Sequence, residues 1–439
     1  MRVVHFSYDD KIGGAGRHAY SIHNALCEAG VDSRMLVMMK SCQDESIQIA
    51  RADNIISKIR YHIARYGEAA YRRRAIKRSF FTSNIFGLPA SNWLPLAKTA
   101  DIIQLNFVAG MLTSRQIAKL SRATGLPIVW SLADCAPFTG GCHFPATCEG
   151  YRSRCGNCPE IGSSREHDRS RRSWRQKRFA YDRCQIHAVA PSAWLRNLAH
   201  ESTLMGGMPT SVIGTPVDPN VFRPINQAIA RDALNLPHET KLILVVAADF
   251  TDGRKGLRPL MTALRQVEAS LDSGKNHHQR APVALLSVGS YSLAAEMQGQ
   301  MAIYDLGRVS DDRLLALAYA ASDLFVCPSL QDTNPLTTIE AAMSGKPVVA
   351  FDCGIAPEII KDGESGFIAQ LGDGKSLGDK ITTLLESEKL PEMGHAAHAS
   401  ALAKHAPSVI AKQYIALYEN LLGSTCAPAE NSIPSTKAQ

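Results

Sequence analysis

Short runs of apolar, β-branched residues alternate with stretches of helical periodicity along most of the chain. In the first half, strands are predicted near RVVHF (2–6), RMLVMM (34–39), DIIQLNF (101–107), PIVWSL (127–132) and HAVAPS (187–192). In the second half, they are predicted near KLILVVAA (241–248), VALLSVG (283–289), LFVCPS (324–329) and KPVVAF (346–351). Apolar strands separated by amphipathic helices are typical of α/β folds, in which helices cover both faces of a parallel sheet.

The chain divides into two such halves. Its 439 residues exceed what one hydrophobic core usually fills, and three prolines interrupt the pattern between residues 212 and 227. We predict a first domain (1–215), a second domain (216–405), a C-terminal helix that packs back on the first domain (406–423) and a disordered tail (424–439). Two doubly wound domains that face each other would bind a ligand in the cleft between them, at the carboxyl ends of their strands.

The net charge of +7 is concentrated in two basic runs, at 58–78 and 164–178. The first run holds eight lysines and arginines against one acid, Glu68. Solvated helix faces would explain both runs, and so would attraction to anionic lipid head groups. Nucleic acid binding is not expected, because no recognisable binding module accompanies the charge.

No apolar run approaches the roughly 20 residues of a membrane helix. The N-terminal MRVVHFSYDD lacks the apolar core of a signal peptide, because His5 and Asp9 interrupt it. The composition, with 45% hydrophobic and 20% charged residues, is ordinary for a soluble globular protein. We therefore expect a cytoplasmic protein, which would be peripheral on the inner face of the membrane if the basic runs bind lipid.

The segment LQDTNPLTTIEAAMSG (330–345) carries two acids, Asp332 and Glu340, eight residues apart. It follows a predicted strand and enters a predicted helix that ends at Gly345. The free N–H groups of the first helical turn can bind a phosphate, and Glu340 is placed to accept hydrogen bonds from a ribose diol. Asp332, on the preceding loop, would hold a sugar hydroxyl at the other end of a diphosphate. The other residues of this segment that we predict to contact the same ligand are Asn334, Pro335, Leu336 and Thr337.

This segment resembles the E-x7-E signature of family 4 retaining glycosyltransferases, which have the GT-B fold of two facing Rossmann-like domains. Asp332 stands in place of the first Glu. The sequence AAMSGKPVVAFDCGIAPEII (341–360) also matches that family, and the resemblance extends over nearly the whole chain. It is closest to the branch that builds bacterial exopolysaccharides of the colanic acid type. Without this context, a helix cap and a solvated helix position would explain the two acids.

Two cations in DFTDGRKGL (249–257) are expected to bind the diphosphate. The resemblance implies that Arg254 and Lys255 stabilise the leaving group as the glycosidic bond breaks. They are adjacent here, whereas the family usually separates them, so Lys255 fits the pattern better than Arg254. A polar turn with solvated charges is the alternative. The backbone around Arg308 and Val309 resembles the family's base-binding segment, and no metal is implied for the transfer step.

Three glycines, Gly13, Gly14 and Gly16, lie between the first predicted strand and the first predicted helix. Glycine lets the backbone approach a ligand closely, and the resemblance places this loop beside the donor diphosphate and the acceptor. A tight strand-to-helix turn would explain the same residues.

The first half departs from the family at a position that faces the cleft. Relatives typically read TLHD where this chain reads SLAD, so Ala133 replaces a histidine, and Gln104 and Asn106 stand where histidines are also common. The family histidine positions substrate. Its loss leaves room for altered acceptor choice, or for a non-catalytic protein that binds a nucleotide sugar without turning it over.

A loop rich in cysteine spans residues 135–158. Four of its cysteines, separated by five, six and two residues, could hold a structural zinc ion in a tetrahedral site. They are Cys142, Cys148, Cys155 and Cys158. Free thiols or local disulfides are the alternatives. His143 could replace one thiolate, although a solvated loop histidine is the simpler interpretation.

Together these features predict a retaining, metal-independent hexosyltransferase. Its donor would be a nucleotide-diphosphate sugar and its acceptor a glycan or a lipid-linked glycan, in bacterial surface or exopolysaccharide synthesis. An anionic membrane surface is a further predicted partner. The alternative is a non-catalytic relative that acts as a partner or regulator.

Overall fold

A computed structural model describes residues 1–50, 55–75, 80–272, 281–297, 299 and 301–425 of the chain. Within these residues the strands form two sheets, one of seven strands and one of six. All the neighbouring strands in both sheets pair in parallel, as the apolar strand pattern predicts.

The first domain contains the seven-stranded sheet. Its strands are β1 (Arg2–Asp9), β2 (Asp32–Met39), β3 (Ile47–Ile49), β4 (Ile102–Leu105), β5 (Ile128–Ser131), β6 (Ile186–Ala190) and β7 (Thr210–Val212). Its helices are α1 (Gly13–Glu28), α2 (Ile55–Ala75), α3 (Leu94–Ala97), α4 (Ser114–Thr124), α5 (Arg169–Tyr181) and α6 (Ala193–Glu201). The strand order is β3-β2-β1-β4-β5-β6-β7.

The second domain contains the six-stranded sheet. Its strands are β8 (Lys241–Val246), β9 (Val283–Val288), β10 (Ala302–Asp305), β11 (Leu324–Cys327), β12 (Val348–Phe351) and β13 (Gly366–Ala369). Its helices are α7 (Gln227–Ala233), α8 (Leu257–Asp272), α9 (Asp312–Ala321), α10 (Leu336–Met343), α11 (Ala356–Ile359), α12 (Gly374–Leu385) and α13 (Leu390–His405). The strand order is β10-β9-β8-β11-β12-β13.

Each sheet is buried on both faces, which explains why its central strands are apolar throughout. In β8, Leu242 and Leu244 pack in one hydrophobic cluster, whereas Ile243 and Val245 pack in another. Successive side chains of a strand point to opposite faces, so the two clusters lie on opposite sides of the sheet. All nine predicted strands are present, but β3, β7, β10 and β13 were not predicted.

The strand order changes direction between β1 and β4 in the first sheet, and between β8 and β11 in the second. Ligands of open α/β sheets bind at such switch points, outside the carboxyl ends of the strands. The predicted site residues lie on the segments that leave these ends. The glycines follow β1, Arg254 and Lys255 follow β8, and Asp332 follows β11.

The last helix, α14 (Pro407–Thr425), returns to the first domain. Ile410, Tyr414 and Tyr418 are buried there against Val3 and Ile102 of the first sheet. The hydroxyl of Tyr414 also lies 3.2 Å from Oγ of Ser131 in β5. Residues 426–439, most of the predicted tail, lie outside the described residues. Among the helices that the structure describes, none is long and apolar enough to cross a membrane.

Candidate active site

The turn after β8 places Lys255 against Asp332. Lys255 Nζ donates to Asp332 Oδ2 at 2.6 Å, and the Asp252 side chain stabilises the turn by accepting from the Arg254 N–H at 3.1 Å. Burial alone would lower the pKa of Lys255, but the charge and hydrogen bond of Asp332 outweigh this effect and raise it. Lys255 therefore remains an ammonium group at the carboxyl ends of β8 and β11.

Gly256 is required by the close approach of this turn to the segment after β11. Its φ is +70°, and a Cβ atom at this position would lie 1.8 Å from the carbonyl oxygen of Pro328. Because this contact is to backbone, no side-chain movement can relieve it. Gly256 thus allows the turn that carries Lys255 to pack against the segment that leads from β11 to Asp332.

We expect Gly256→Ala to lower the free energy of unfolding by about 2–4 kcal/mol, through backbone strain and the clash with Pro328. Urea unfolding followed by circular dichroism would measure the loss. Gly253→Ala in the same turn is the control, because a Cβ atom there meets nothing within 4 Å. Equal stabilities of the two variants would contradict the clash.

The side chain of Arg254 does not lie beside that of Lys255 but extends to the first domain. Its guanidinium carbon lies 3.7 Å from the ring centroid of Phe144 and 4.6 Å from that of Phe80, and the group also pairs with Asp252. Its Nε is buried without a hydrogen-bond partner. Its backbone carbonyl accepts from Leu330 N at 2.7 Å. Arg254 thereby joins the Cys-rich loop, the 249–257 turn and the segment that carries Asp332.

Glu340 lies in α10 and is nearly fully buried, with 1% of its surface exposed. It accepts from Tyr319 Oη at 3.0 Å and from Arg17 Nη2 at 2.8 Å. Arg17 belongs to α1 of the first domain and also pairs with Asp312 at 3.0 Å. Burial raises the pKa of Glu340, and the charge of Arg17 opposes that rise. The helix ends as predicted before Gly345, whose φ is +74°.

Gly13, Gly14 and Gly16 form the first turn of α1 instead of a loop before it, so their predicted position is wrong by about one helical turn. Gly16 packs against Asp9, and a Cβ there would lie 1.7 Å from Asp9 Oδ1. Burial raises the pKa of Asp9 to about 7. This close packing places Arg17, the next residue, where it reaches Glu340.

A buried chain of hydrogen bonds runs between the domains beside this contact. Asn334 Nδ2 donates to Thr215 Oγ1 at 2.5 Å, and His18 Nδ1 lies 2.6 Å from the same hydroxyl. His18 Nε2 lies 2.8 Å from Ser131 Oγ. Burial lowers the pKa of His18 to about 4, so its ring is neutral. Asn334 Oδ1 remains buried without a partner, so one acceptor next to α10 is free for a ligand.

The remaining predicted donor-binding residues lie on two segments of the second domain. Pro335 precedes α10, and Leu336 and Thr337 begin it. Arg308 is exposed and Val309 is half-buried, on the segment that joins β10 to α9. That segment leads directly into the helix that carries Asp312 and Tyr319.

Ala133 lies at the domain interface, where its carbonyl accepts from Thr333 Oγ1 at 2.8 Å. It lines a cavity together with Asn106 and Asp134. His143 is 6% exposed, 2.7 Å from Asp134 Oδ2 through Nδ1 and 2.7 Å from Thr82 Oγ1 through Nε2. The prediction of a solvated loop histidine is therefore wrong, because the loop folds inward and holds the ring against Asp134.

The four predicted zinc ligands line one small cavity together with Phe81 and Tyr151. These ligands, Cys142, Cys148, Cys155 and Cys158, are all free thiols. Burial raises the pKa of Cys155 to about 11 and also raises the pKa values of Cys142 and Cys158. In the described part of the chain, however, no group of three or more Cys, His, Asp or Glu side chains is arranged so that it could hold a metal ion. The zinc site therefore stays a prediction.

If these thiols bind zinc, the purified chain should contain about one zinc ion per molecule. Cys148→Ser with Cys158→Ser should lose the ion. Cys27→Ser should keep it, because Cys27 is a free cysteine outside this loop. Elemental analysis after extensive dialysis would measure the content. A folded wild-type chain without metal would contradict the prediction.

Comparison with known proteins found a family model that matches most of the second domain. Residues 240–387 match the family model described as "Glycosyl transferases group 1", and this range contains Arg254, Lys255, Asp332 and Glu340. Residues 240–387 of the second domain are therefore similar to the group 1 glycosyltransferases.

Particular relatives match over different lengths. The chain is 31% identical to a phosphatidyl-myo-inositol mannosyltransferase of Mycobacterium leprae over 180 residues, which are 40% of this chain and 46% of that protein. It is 35% identical over 101 residues to an N-acetylgalactosaminyltransferase of Campylobacter jejuni that acts on a diphospho-undecaprenol, covering 23% of this chain and 27% of that protein. The chain thus spans less than half the length of these relatives. The putative colanic acid biosynthesis glycosyl transferase WcaC of Escherichia coli K12 is 21% identical over 96% of this chain and 100% of its own length.

Solved structures identify the fold. Sucrose-phosphate synthase of Thermosynechococcus elongatus superposes with a TM-score of 0.65 at 17% identity, over 96% of this chain and 99% of that chain. HepE of Anabaena, solved in complex with UDP and glucose, gives a TM-score of 0.64 at 17% identity, over 96% of this chain and all of its own. The predicted GT-B fold is confirmed.

Proposed function

We propose that the protein is a retaining glycosyltransferase. It moves a hexose from a nucleotide-diphosphate sugar to a glycan or lipid-linked acceptor, in bacterial surface or exopolysaccharide synthesis. The observation that carries this proposal is the ion pair of Lys255 with Asp332 at the carboxyl ends of β8 and β11, together with Glu340 of the following helix, which contacts Arg17 of the first domain.

Each of these groups has a place along an extended donor. Glu340 accepts hydrogen bonds from the ribose, and the N–H groups at the start of α10 bind a phosphate. Lys255 stabilises the negative charge that develops on the diphosphate as the glycosidic bond breaks. Asp332 holds the donor sugar and keeps Lys255 in position. Cationic groups and a helix terminus serve here in place of a divalent ion, and the leaving phosphate accepts the acceptor's proton.

Similar proteins support an acceptor from surface glycan synthesis. By their names, two of them act on phosphatidyl-myo-inositol and on a diphospho-undecaprenol, and the relative matched over its full length is assigned to colanic acid synthesis. The contact of Arg254 with Phe80 and Phe144 joins the two domains beside the Lys255 turn. Closing the cleft excludes water, which would otherwise hydrolyse the donor.

The test is nucleotide release from a panel of UDP-, GDP- and ADP-sugars with lipid-linked bacterial glycans as acceptors. We expect release that depends on the acceptor and that Glu340→Ala abolishes. Glu364→Ala is the matched control, because Glu364 is an exposed carboxylate of the same domain, 2.7 Å from Lys361. No release from any donor with any acceptor would contradict the proposal.

A non-catalytic nucleotide-sugar binder is the second candidate, and Ala133 is the observation that favours it. A different histidine lies near Ala133, however, because the ring of His143 contacts Asp134, the residue that follows Ala133. Turnover separates the two candidates. A chain that binds a nucleotide sugar by calorimetry but never releases the nucleotide would favour the second.

A further inference from the structure

Helix α2 is fixed to the first domain by one face. Tyr61 and Ala64 are buried, and the Tyr61 hydroxyl donates to the Met38 carbonyl. Glu68 accepts from Ser83 N at 2.7 Å and from Ser83 Oγ at 2.6 Å. The helix therefore has a defined orientation on the domain.

The opposite face of α2 exposes four large apolar side chains. Ile55 is 73% exposed, Ile59 55%, Ile63 54% and Tyr66 57%. At roughly 100° per residue, these four positions fall within an arc of about 80°. The groove beside α2 that Ile63 lines is also lined by Ile85, which is 62% exposed. Single exposed apolar residues are ordinary on a protein surface, but a continuous stripe indicates an interaction site.

Cations flank this apolar stripe on both sides. Helical spacing places Arg60 on one side of the stripe and Lys58 and Arg65 on the other. The α2 sequence contains one acid, Glu68, and that acid is turned inward to Ser83. The described outer face of α2 therefore combines apolar and positive side chains without a negative one. Residues 76–79 and the side chains of 72–75, which continue the basic run, lie outside the described part of the chain.

Two cations of the second basic run turn inward. Lys177 is buried and donates to the carbonyls of Ala136 and Thr139 at 2.5 and 3.0 Å, and Arg171 donates to the Cys155 carbonyl at 2.9 Å. These two cations stabilise the Cys-rich loop. The prediction of a solvated helix face for residues 164–178 is therefore wrong for Lys177 and Arg171 but correct for the other arginines of this run, which are exposed.

We propose that the outer face of α2 docks the protein on an anionic lipid surface. The apolar stripe enters the boundary between head groups and acyl chains, while Lys58, Arg60 and Arg65 lie among the anionic head groups. Charge complementarity favours this partner. The apolar stripe of α2 matches the acyl chains of a membrane, and the cations that flank the stripe match the negative head groups above those chains. The proposal does not depend on the transferase activity, since the helix lies outside the donor cleft.

Binding of the full-length chain to vesicles tests this proposal. We expect the wild type to co-sediment with vesicles of phosphatidylglycerol and phosphatidylcholine, but not with phosphatidylcholine alone. Ile59→Asp with Ile63→Asp should lower the partition coefficient at least about tenfold. Arg60→Glu with Arg65→Glu should lower it by a similar factor, and added salt should weaken wild-type binding.

Matched controls carry the same changes on other surfaces. Ile229→Asp replaces an isoleucine that is 63% exposed in the second domain, and Lys389→Glu with Lys412→Glu reverses two exposed lysines away from α2. Both should bind vesicles like the wild type. Circular dichroism shows whether each variant is folded, and Ile59→Ser with Ile63→Ser replaces the aspartates if they unfold the chain.

Three outcomes would overturn the proposal. The wild type could fail to bind anionic vesicles, or the α2 variants could bind as well as the controls. Alternatively, the wild type could self-associate in solution without binding vesicles, and the Ile59 and Ile63 changes could dissociate it. The face would then be an interface between copies of this chain.

Discussion

Replacing Lys255 by methionine is expected to lower kcat/KM for sugar transfer about 10²–10³-fold, the usual effect of removing one charge-stabilising group from an active site. Lys255 is the cation that Asp332 holds at 2.6 Å, and the raised pKa keeps it charged across the neutral range. Methionine preserves most of the volume but cannot stabilise the diphosphate. Steady-state kinetics with the donor identified in the nucleotide panel would measure the loss, which we expect mainly in kcat.

Lys361→Met is the control for this substitution. Lys361 is an exposed lysine of the same domain that pairs with Glu364 at 2.7 Å, so its loss should leave kcat/KM unchanged. A Lys255→Met variant that is less stable but has an unchanged kcat would limit Lys255 to a structural role as the partner of Asp332. The melting temperature, measured on the same samples, distinguishes the two results.

The central strands of both sheets could be predicted because parallel strands buried on both faces are apolar throughout. The strands that escaped prediction are β3, β7, β10 and β13, which are the edges of the two sheets. They are three or four residues long, and β10 and β7 have no fully buried residue. An edge strand has one neighbour and more contact with water, so its sequence carries a weaker apolar signal.

The donor residues could be predicted because they belong to short contiguous motifs. Asp332 and Glu340 share one loop and helix, and Lys255 precedes a glycine that the turn requires. Arg17 could not be predicted in the same way, because its partner Glu340 lies in the other domain, 323 residues further along the chain. The available signal was its position directly after the glycines in the first turn of α1, the helix that follows the first strand.

The burial of individual polar side chains was the property that could be predicted least well from the sequence. His143 lies among glycines, prolines and cysteines, which predict an exposed loop, yet its two ring nitrogens are bonded to Asp134 and Thr82. Arg254 lies beside Lys255 in the sequence, yet it stacks on Phe144 of the opposite domain. In both cases contacts between distant segments determine the side chain's environment, and local spacing does not encode them.

The contact between Arg17 and Glu340 makes donor binding sensitive to pH in a predictable direction. We expect Glu340→Gln to weaken nucleotide-sugar binding about 10–100-fold, because an amide accepts fewer hydrogen bonds from the ribose diol. Arg17→Met should keep the carboxyl group of Glu340 but remove the positive charge of Arg17, which opposes the rise in the pKa of Glu340. Glu340 then takes up a proton at a higher pH, so binding should be lost as the pH falls. As the pH is lowered, we therefore expect the dissociation constant of this variant to begin to rise at a higher pH than that of the wild type.

The double variant Arg17→Met with Glu340→Gln isolates the carboxyl group as the cause. It has no titrating side chain at position 340, so the pH dependence that remains in its weaker binding comes from other groups, among them Asp9, whose pKa is about 7. Asp312 and Tyr319 also face this pair and remain in every variant, so their contribution cancels in the comparison. Calorimetry with an intact nucleotide sugar avoids the terminal phosphate of a free nucleotide, which titrates near neutral pH. If Arg17→Met and the double variant show the same pH dependence, Glu340 does not bind the ribose as a carboxylate, and Arg17 serves only to hold the two domains together.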